Sequence, residues 1–129
     1  MNTGETNLAR ILETLSPKLQ PGSYVFCRAS ADLLTTDPGV ICTFKEEEGT
    51  SLIVTKELAD RHRLEYSVVM SWITLTVHSS LEAVGLTAAF SKALADENIS
   101  CNIVAAFYHD HIFVPEKDVE KALTVLGKL

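Results

Sequence analysis

The pattern of apolar residues predicts an α+β fold. It reads as two ferredoxin-like halves, each a βαββαβ sandwich with helices on one face of an antiparallel sheet, sharing a long central strand. Three observations carry this. Periods of 3.6 and of two residues follow one another in the order α, β, β, β, α, then a long β, then α, β, β, α. The segment Ser51-Leu52-Ile53-Val54-Thr55-Lys56-Glu57-Leu58 aligns with His111-Ile112-Phe113-Val114-Pro115-Glu116-Lys117-Asp118, each a strand running directly into a capped helix. No low-complexity stretch or long linker interrupts the 129 residues, a length that suits one compact domain or two very small ones. Residues 1–66 are then the N-terminal half and residues 67–129 the C-terminal half.

Each element has its own warrant. Leu8, Ile11, Leu12 and Leu15 stand at i, i+3, i+4 and i+7, which predicts a helix over about Glu5 to Leu15, ended by Pro17 and then Pro21-Gly22. Tyr24-Val25-Phe26-Cys27 and Val40-Ile41-Cys42-Thr43-Phe44 read as strands because β-branched and aromatic residues dominate them. Asp37-Pro38-Gly39-Val40 is a turn, since strand residues follow it. Glu46-Glu47-Glu48-Gly49 is a charged hairpin turn, Ser51 to Val54 a short strand, and Thr55 caps a brief helix over Lys56 to Arg61. From Val68 to His78 a long strand places Ile73, Leu75 and Val77 on one face and Trp72, Thr74, Thr76 and His78 on the other. Leu86, Ala89, Phe90, Ala93 and Leu94 then keep helical spacing up to Asp96-Glu97-Asn98. Cys101 to Tyr108 is a strand, His109-Asp110 the turn, and His111 to Val114 its partner. Pro115 opens a last helix, with Val119, Ala122, Leu123 and Leu126 facing the core and Gly127 closing it.

Composition excludes several classes. With 47% hydrophobic and 22% charged residues, the chain carries enough core material to fold. Its 11 Lys and Arg against 17 Asp and Glu give a net charge of −6, so no overall field attracts phosphate backbones and no nucleic-acid partner is expected. The start Met1-Asn2-Thr3-Gly4-Glu5-Thr6-Asn7 has no basic segment followed by an apolar run, and no window reaches the ~20 apolar residues of a membrane span. A cytoplasmic protein without membrane contact is expected. Cys27, Cys42 and Cys101 each sit singly in apolar runs, which suits reduced core residues rather than disulfides or a zinc site.

The segment His78-Ser79-Ser80-Leu81-Glu82-Ala83-Val84-Gly85-Leu86 admits two readings. Ser79 and Glu82 have the spacing of a capping box, which leaves Gly85 inside a helix at a cost of about 0.8–1 kcal/mol against Ala. Alternatively residues 79–84 are a loop and the helix starts near Gly85, leaving backbone N–H groups open to an anion such as a carboxylate. His109, Asp110 and His111 suggest a metal or acid–base site, but their consecutive positions lack the i, i+4 helical geometry of metal motifs, and no metal or other cofactor is expected. His78 suits a hydrogen-bonded structural role. No Ser-His-Asp set, P-loop or GxGxxG is present, and Cys27 has only Arg28 beside it to activate a thiol. Lys56, Arg61, His62 and Arg63 form a solvated helix face, diluted by Glu57 and Asp60.

The strand, the loop ending in Val84-Gly85-Leu86, the alanine-rich helix, Asn98-Ile99-Ser100-Cys101-Asn102-Ile103 and the hairpin Tyr108-His109-Asp110-His111-Ile112-Phe113-Val114-Pro115 together resemble an ACT domain. The likeness spans about residues 69–127; over residues 1–66 it rests on element order and the internal repeat. The chain is similar to small stand-alone bacterial ACT proteins, to the ACT modules of aspartate kinases and to the tandem ACT modules of animal cytosolic arginine sensors. The resemblance implies amino-acid binding and allosteric regulation of a separate partner, such as an enzyme of amino-acid metabolism, by a non-catalytic homodimer. It also implies a ligand site. Ser79, Ser80, Val84, Gly85 and Leu86 match the family's strand–helix loop, with Val84 in place of the family's proline. Asn102, Ile103 and Val104 match the start of its second strand, and Asp110 matches an acidic residue that takes a cationic group in the arginine sensors. The alternatives are an ACT-fold oligomerisation module that binds no ligand and, behind it, a small metal-dependent enzyme using His109, Asp110 and His111.

Overall fold

A computed structural model describes residues 7–30, 33, 35–76 and 85–129, the side chain of Ile11 apart. In chain order the elements are α1 (Leu8–Glu13), β1 (Ser16–Leu19), β2 (Tyr24–Arg28), β3 (Val40–Glu46), β4 (Gly49–Thr55), α2 (Lys56–Arg61), β5 (Met70–Thr76), α3 (Leu86–Asp96), β6 (Asn102–Ala105), β7 (Asp110–Pro115) and α4 (Val119–Leu126), the last entered through a 3-10 turn over Glu116–Asp118. Contacts divide them into two compact units, Pro21–Ser71 and Met1–Gln20 with Trp72–Leu129.

In the Pro21–Ser71 unit, β4 lies between β3 and β2, antiparallel to both. Alternation sends Val25 and Cys27 of β2 and Leu52 and Val54 of β4 to one side, where they bury against Leu58 and Ala59 of α2. Thr55 ends β4 and caps α2, its hydroxyl accepting from the Leu58 N–H at 3.2 Å. The Asp37 carboxylate accepts from the Gly39 N–H at 2.8 Å and its carbonyl from the Val40 N–H at 2.9 Å, closing the expected turn. Gly39 is there for space: a Cβ would lie 2.8 Å from Leu58 Cδ1 and 3.0 Å from Thr55 Oγ1.

The other unit orders its strands β1, β5, β7, β6. β1 runs antiparallel to β5, from Ser16 opposite Thr76 to Leu19 opposite Ile73, and β6 runs antiparallel to β7, from Asn102 opposite Phe113 to Ala105 opposite Asp110. Ile73, Leu75, Ile112 and Val114 share the face that packs against Leu86, Phe90 and Leu94 of α3 and Ala122 and Leu126 of α4, with Leu8 and Leu12 of α1 at its margin. Full burial of each large side chain contributes about 1.5–3 kcal/mol, so this cluster holds the unit together.

Three local expectations change, and one segment with two readings takes the second. β1 forms just after the predicted first helix, in a stretch read only as its stop, and Pro17 sits within it opposite Leu75; β1 pairs with β5 alone, and an edge strand tolerates the missing N–H. The β6–β7 turn is Phe107-Tyr108, closed by the Ala106 N–H to the His109 carbonyl at 3.1 Å, and Asp110 is the first residue of β7 rather than a turn residue. Pro115 ends β7 instead of opening α4. The α3 helix begins at Leu86, the second of the two readings of that segment, while Ser79 and Glu82 lie outside the described residues.

Candidate functional site

Of the loop residues predicted to meet a ligand, Ser79, Ser80 and Val84 lie outside the described residues, as does His78. Gly85 immediately precedes α3 with φ 93° and ψ −9°, a left-handed backbone that glycine adopts at no steric cost. Its carbonyl accepts the first helical bond, from the Ala89 N–H at 2.9 Å. The amides of residues 86–88 therefore have no acceptor within the helix and mark its positive end. Leu86 contributes only backbone to such a site, because its side chain is buried in the core. Gly85 also faces α1: a Cβ there would lie 3.2 Å from Leu8 Cδ2.

On β6, Ile103 packs against the core, so alternation turns Asn102 and Val104 to the face away from the helices. The Asn102 amide donates to the Phe113 carbonyl at 3.3 Å. Asp110 opens the return strand opposite Ala105, three pairs from Asn102 opposite Phe113, which is roughly 10 Å along the ladder. The structure thus puts Asn102 and Asp110 at opposite ends of one hairpin. Burial pushes the Asp110 carboxyl above the usual carboxylate range, against the opposing pull of His111 and His109.

The cluster that sequence reasoning missed lies on the face of β5 and β7 opposite the helices. The Trp72 indole N–H donates to His111 Nδ1 at 3.0 Å, Thr74 Oγ1 lies 3.1 Å from the same nitrogen, and the Gln20 amide donates to Thr74 Oγ1 at 2.9 Å. Trp72 stacks on Phe113 at 6.0 Å and 23°. Beneath it Thr74 and Phe113 are buried. Burial pushes the His111 imidazole below its usual range, with His109 adding to the effect and Asp110 opposing it. The alternation of Trp72 and Thr74 on a polar strand face was readable in the sequence; the register that brings His111 to them was not. His109 and His111 ring centres are 6.3 Å apart, while Asp110 shares the strand parity of the core residues Ile112 and Val114, so the three do not converge. No cluster of His, Cys, Asp and Glu that could hold a metal ion occurs among the described residues. Burial pushes the Cys101 thiol up to about 11 and raises that of Cys27, which removes nucleophilic thiolate at neutral pH.

Comparison with known proteins places this geometry. Residues 3–71 match one ACT-domain profile and residues 67–128 match a second. The chain belongs to the ACT-domain family. ACT domains are typically ligand-binding regulatory modules, and the antiparallel sheets with helices have the predicted α+β class. A Vibrio cholerae protein of unknown function, described as a possible transport protein, is 47% identical, with a TM-score of 0.84 and 94% of each chain covered. An Agrobacterium tumefaciens protein is 20% identical, with a TM-score of 0.65, 88% of this ACT protein covered and 87% of the other chain. A putative C-terminal regulatory domain of aspartate kinase from Porphyromonas gingivalis is also 20% identical, with a TM-score of 0.58 and coverage of 88% and 95%. These last two share the fold. No curated protein matches. Among the described residues no helix is long and apolar enough to cross a membrane.

Proposed function

We propose that this ACT protein is a non-catalytic regulatory module that binds a free amino acid. The observation that carries the proposal is the start of α3, where left-handed Gly85 precedes the helix and the first-turn amides of residues 86–88, without an acceptor inside it, would receive a carboxylate. Ser79, Ser80 and Val84 would complete that loop, and Asn102, Ile103 and Val104 would present the backbone and amide groups of β6. Asp110, at the far end of its hairpin from Asn102, enters the proposal through a second copy, whose carboxylate would take a cationic group. Support comes from the family, and from regulatory domains of aspartate kinases among the similar folds. Regulation then requires that the amino acid favour one of two states, such as paired and separate copies, or bound and free forms of a partner enzyme in the cytoplasm. Calorimetry of the whole chain against each of the twenty amino acids at millimolar concentration tests this. Saturable binding of one or a few is expected; binding of none overturns it.

A second reading, an ACT-fold pairing module without a ligand, is favoured by the hairpin tip. Phe107 and Tyr108 are 79% and 82% exposed there, packed edge to face at 4.9 Å. That reading expects an oligomer whose thermal midpoint no amino acid moves.

A further inference from the structure

We propose that His111, Trp72 and Thr74 form a proton-operated switch in the C-terminal unit, in which protonation of His111 Nδ1 exchanges its partner from the Trp72 indole to the Thr74 hydroxyl. The inference is independent of the amino-acid reading. It rests on what each group is able to do. An indole N–H donates and never accepts, so the 3.0 Å contact from Trp72 requires a lone pair on His111 Nδ1 and hence a neutral ring with its proton on Nε2. A hydroxyl both donates and accepts. Thr74 Oγ1, 3.1 Å from the same nitrogen and already receiving the Gln20 amide at 2.9 Å, retains a lone pair for a proton on Nδ1. One atom therefore has two arrangements: Trp72 to His111 when the ring is neutral, and His111 to Thr74 when it is charged. In the charged arrangement two N–H groups would point at each other across 3.0 Å, so the indole turns out of its place over Phe113.

The surroundings bias this exchange without replacing it. On the turn, His109 faces His111 across 6.3 Å and opposes a second positive charge. Asp110 is adjacent in sequence and favours the charge, weakly, from a carboxyl that burial itself makes less acidic. Across β5, Lys18 stands opposite Thr74 and adds a further positive group on that side of the sheet. Val104, opposite His111 on β6, does not titrate. Burial and His109 outweigh one carboxyl, which places the exchange on the acid side of the ~6.5 of a free imidazole.

Trp72 is the only tryptophan in the sequence, so its fluorescence reads the switch directly. Acidification of the whole chain from about pH 7.5 to 4.5 is expected to give one step in emission, with a midpoint below ~6.5 and an unchanged far-ultraviolet circular dichroism spectrum. His111→Gln, which keeps an acceptor for the indole and cannot titrate, removes the step. His109→Gln keeps it and moves the midpoint up. Thr74→Val, which takes away the acceptor of the charged ring, moves the midpoint down by roughly one unit or more, because a hydrogen bond to a charged group is lost. A step that survives His111→Gln, that coincides with loss of the dichroism signal, or that ignores Thr74→Val overturns the proposal, as does the absence of any step.

Discussion

Replacing Gly85 by alanine isolates the backbone conformation on which the α3 start depends. At φ 93° an added Cβ meets its own flanking peptide groups, and left-handed backbone costs an L residue about 1–2 kcal/mol. The nearest external neighbour, Leu8 Cδ2 at 3.2 Å, is the end of a flexible side chain and adds little. Unfolding entropy of about 2.1 cal/mol/K per residue gives the 129-residue chain about 0.27 kcal/mol/K, so this cost lowers the thermal midpoint by about 4–7 °C. Scanning calorimetry of the wild type, Gly85→Ala and Gly85→Asn checks it. Asparagine tolerates left-handed backbone, so its loss is expected to be the smaller. Repeating Gly85→Ala in a Leu8→Ala background is expected to give the same difference, because the strain is in the backbone and not in the contact. A Gly85→Ala midpoint within 1 °C of wild type, or an asparagine variant as unstable as the alanine one, would refute the conformational argument.

Gly39→Ala is expected to destabilise by a different route, forcing a Cβ to 2.8 Å from the buried Leu58; overpacking of this kind costs about 1–3 kcal/mol, read as a lower urea midpoint with an unchanged slope. Thr55→Ala removes the α2 cap and is expected to cost about 1 kcal/mol in the same measurement, with Thr55→Ser, which keeps the capping hydroxyl, retaining most of the stability. Asp110→Asn is expected to raise the thermal midpoint at pH 7. Burial raises the folded carboxyl above its unfolded value, so its favourable contribution is complete below the unfolded value and is lost as pH rises through the folded one; the gain from asparagine should shrink towards pH 4. A gain that grows on acidification would contradict that sign.

The elements legible in the sequence are those whose local signals and tertiary setting agree. Thr55 followed by the Lys56–Arg61 helix, the alternation of Ile73 and Leu75, and the spacing of Leu86, Phe90 and Leu94 all reappear as read. The misplaced hairpin turn shows where local signals fail. Phe107 and Tyr108 are strand formers, and nothing in their chemistry asks for a turn. The turn falls on them because Ile103 pairs with Ile112, and Ile112 and Val114 must both face the core; long-range register decides it. β1 was hidden for a related reason: Pro17 reads as a breaker until its place on a sheet edge is known. In the candidate site, Gly85 could be read because a glycine before an apolar helical period is itself a signal. The Trp72–His111 contact joins residues 39 apart in sequence, and only the fold supplies it.

The pairing of β1 with β5 has a topological consequence. Gln20 and Trp72 face each other across that ladder, the Gln20 N–H donating to the Trp72 carbonyl at 2.8 Å. The chain leaves the C-terminal unit at Gln20 and re-enters it at Trp72, a hydrogen bond away, so Pro21–Ser71 is an insertion spliced into the tip of a β-hairpin. The ends of the inserted segment meet, so an Asn-Gly turn joining Gln20 to Trp72 has the length to close the same two strands. β1, conversely, belongs to the unit at the far end of the chain, and a fragment cut between the sequence halves would carry β5 without its edge partner.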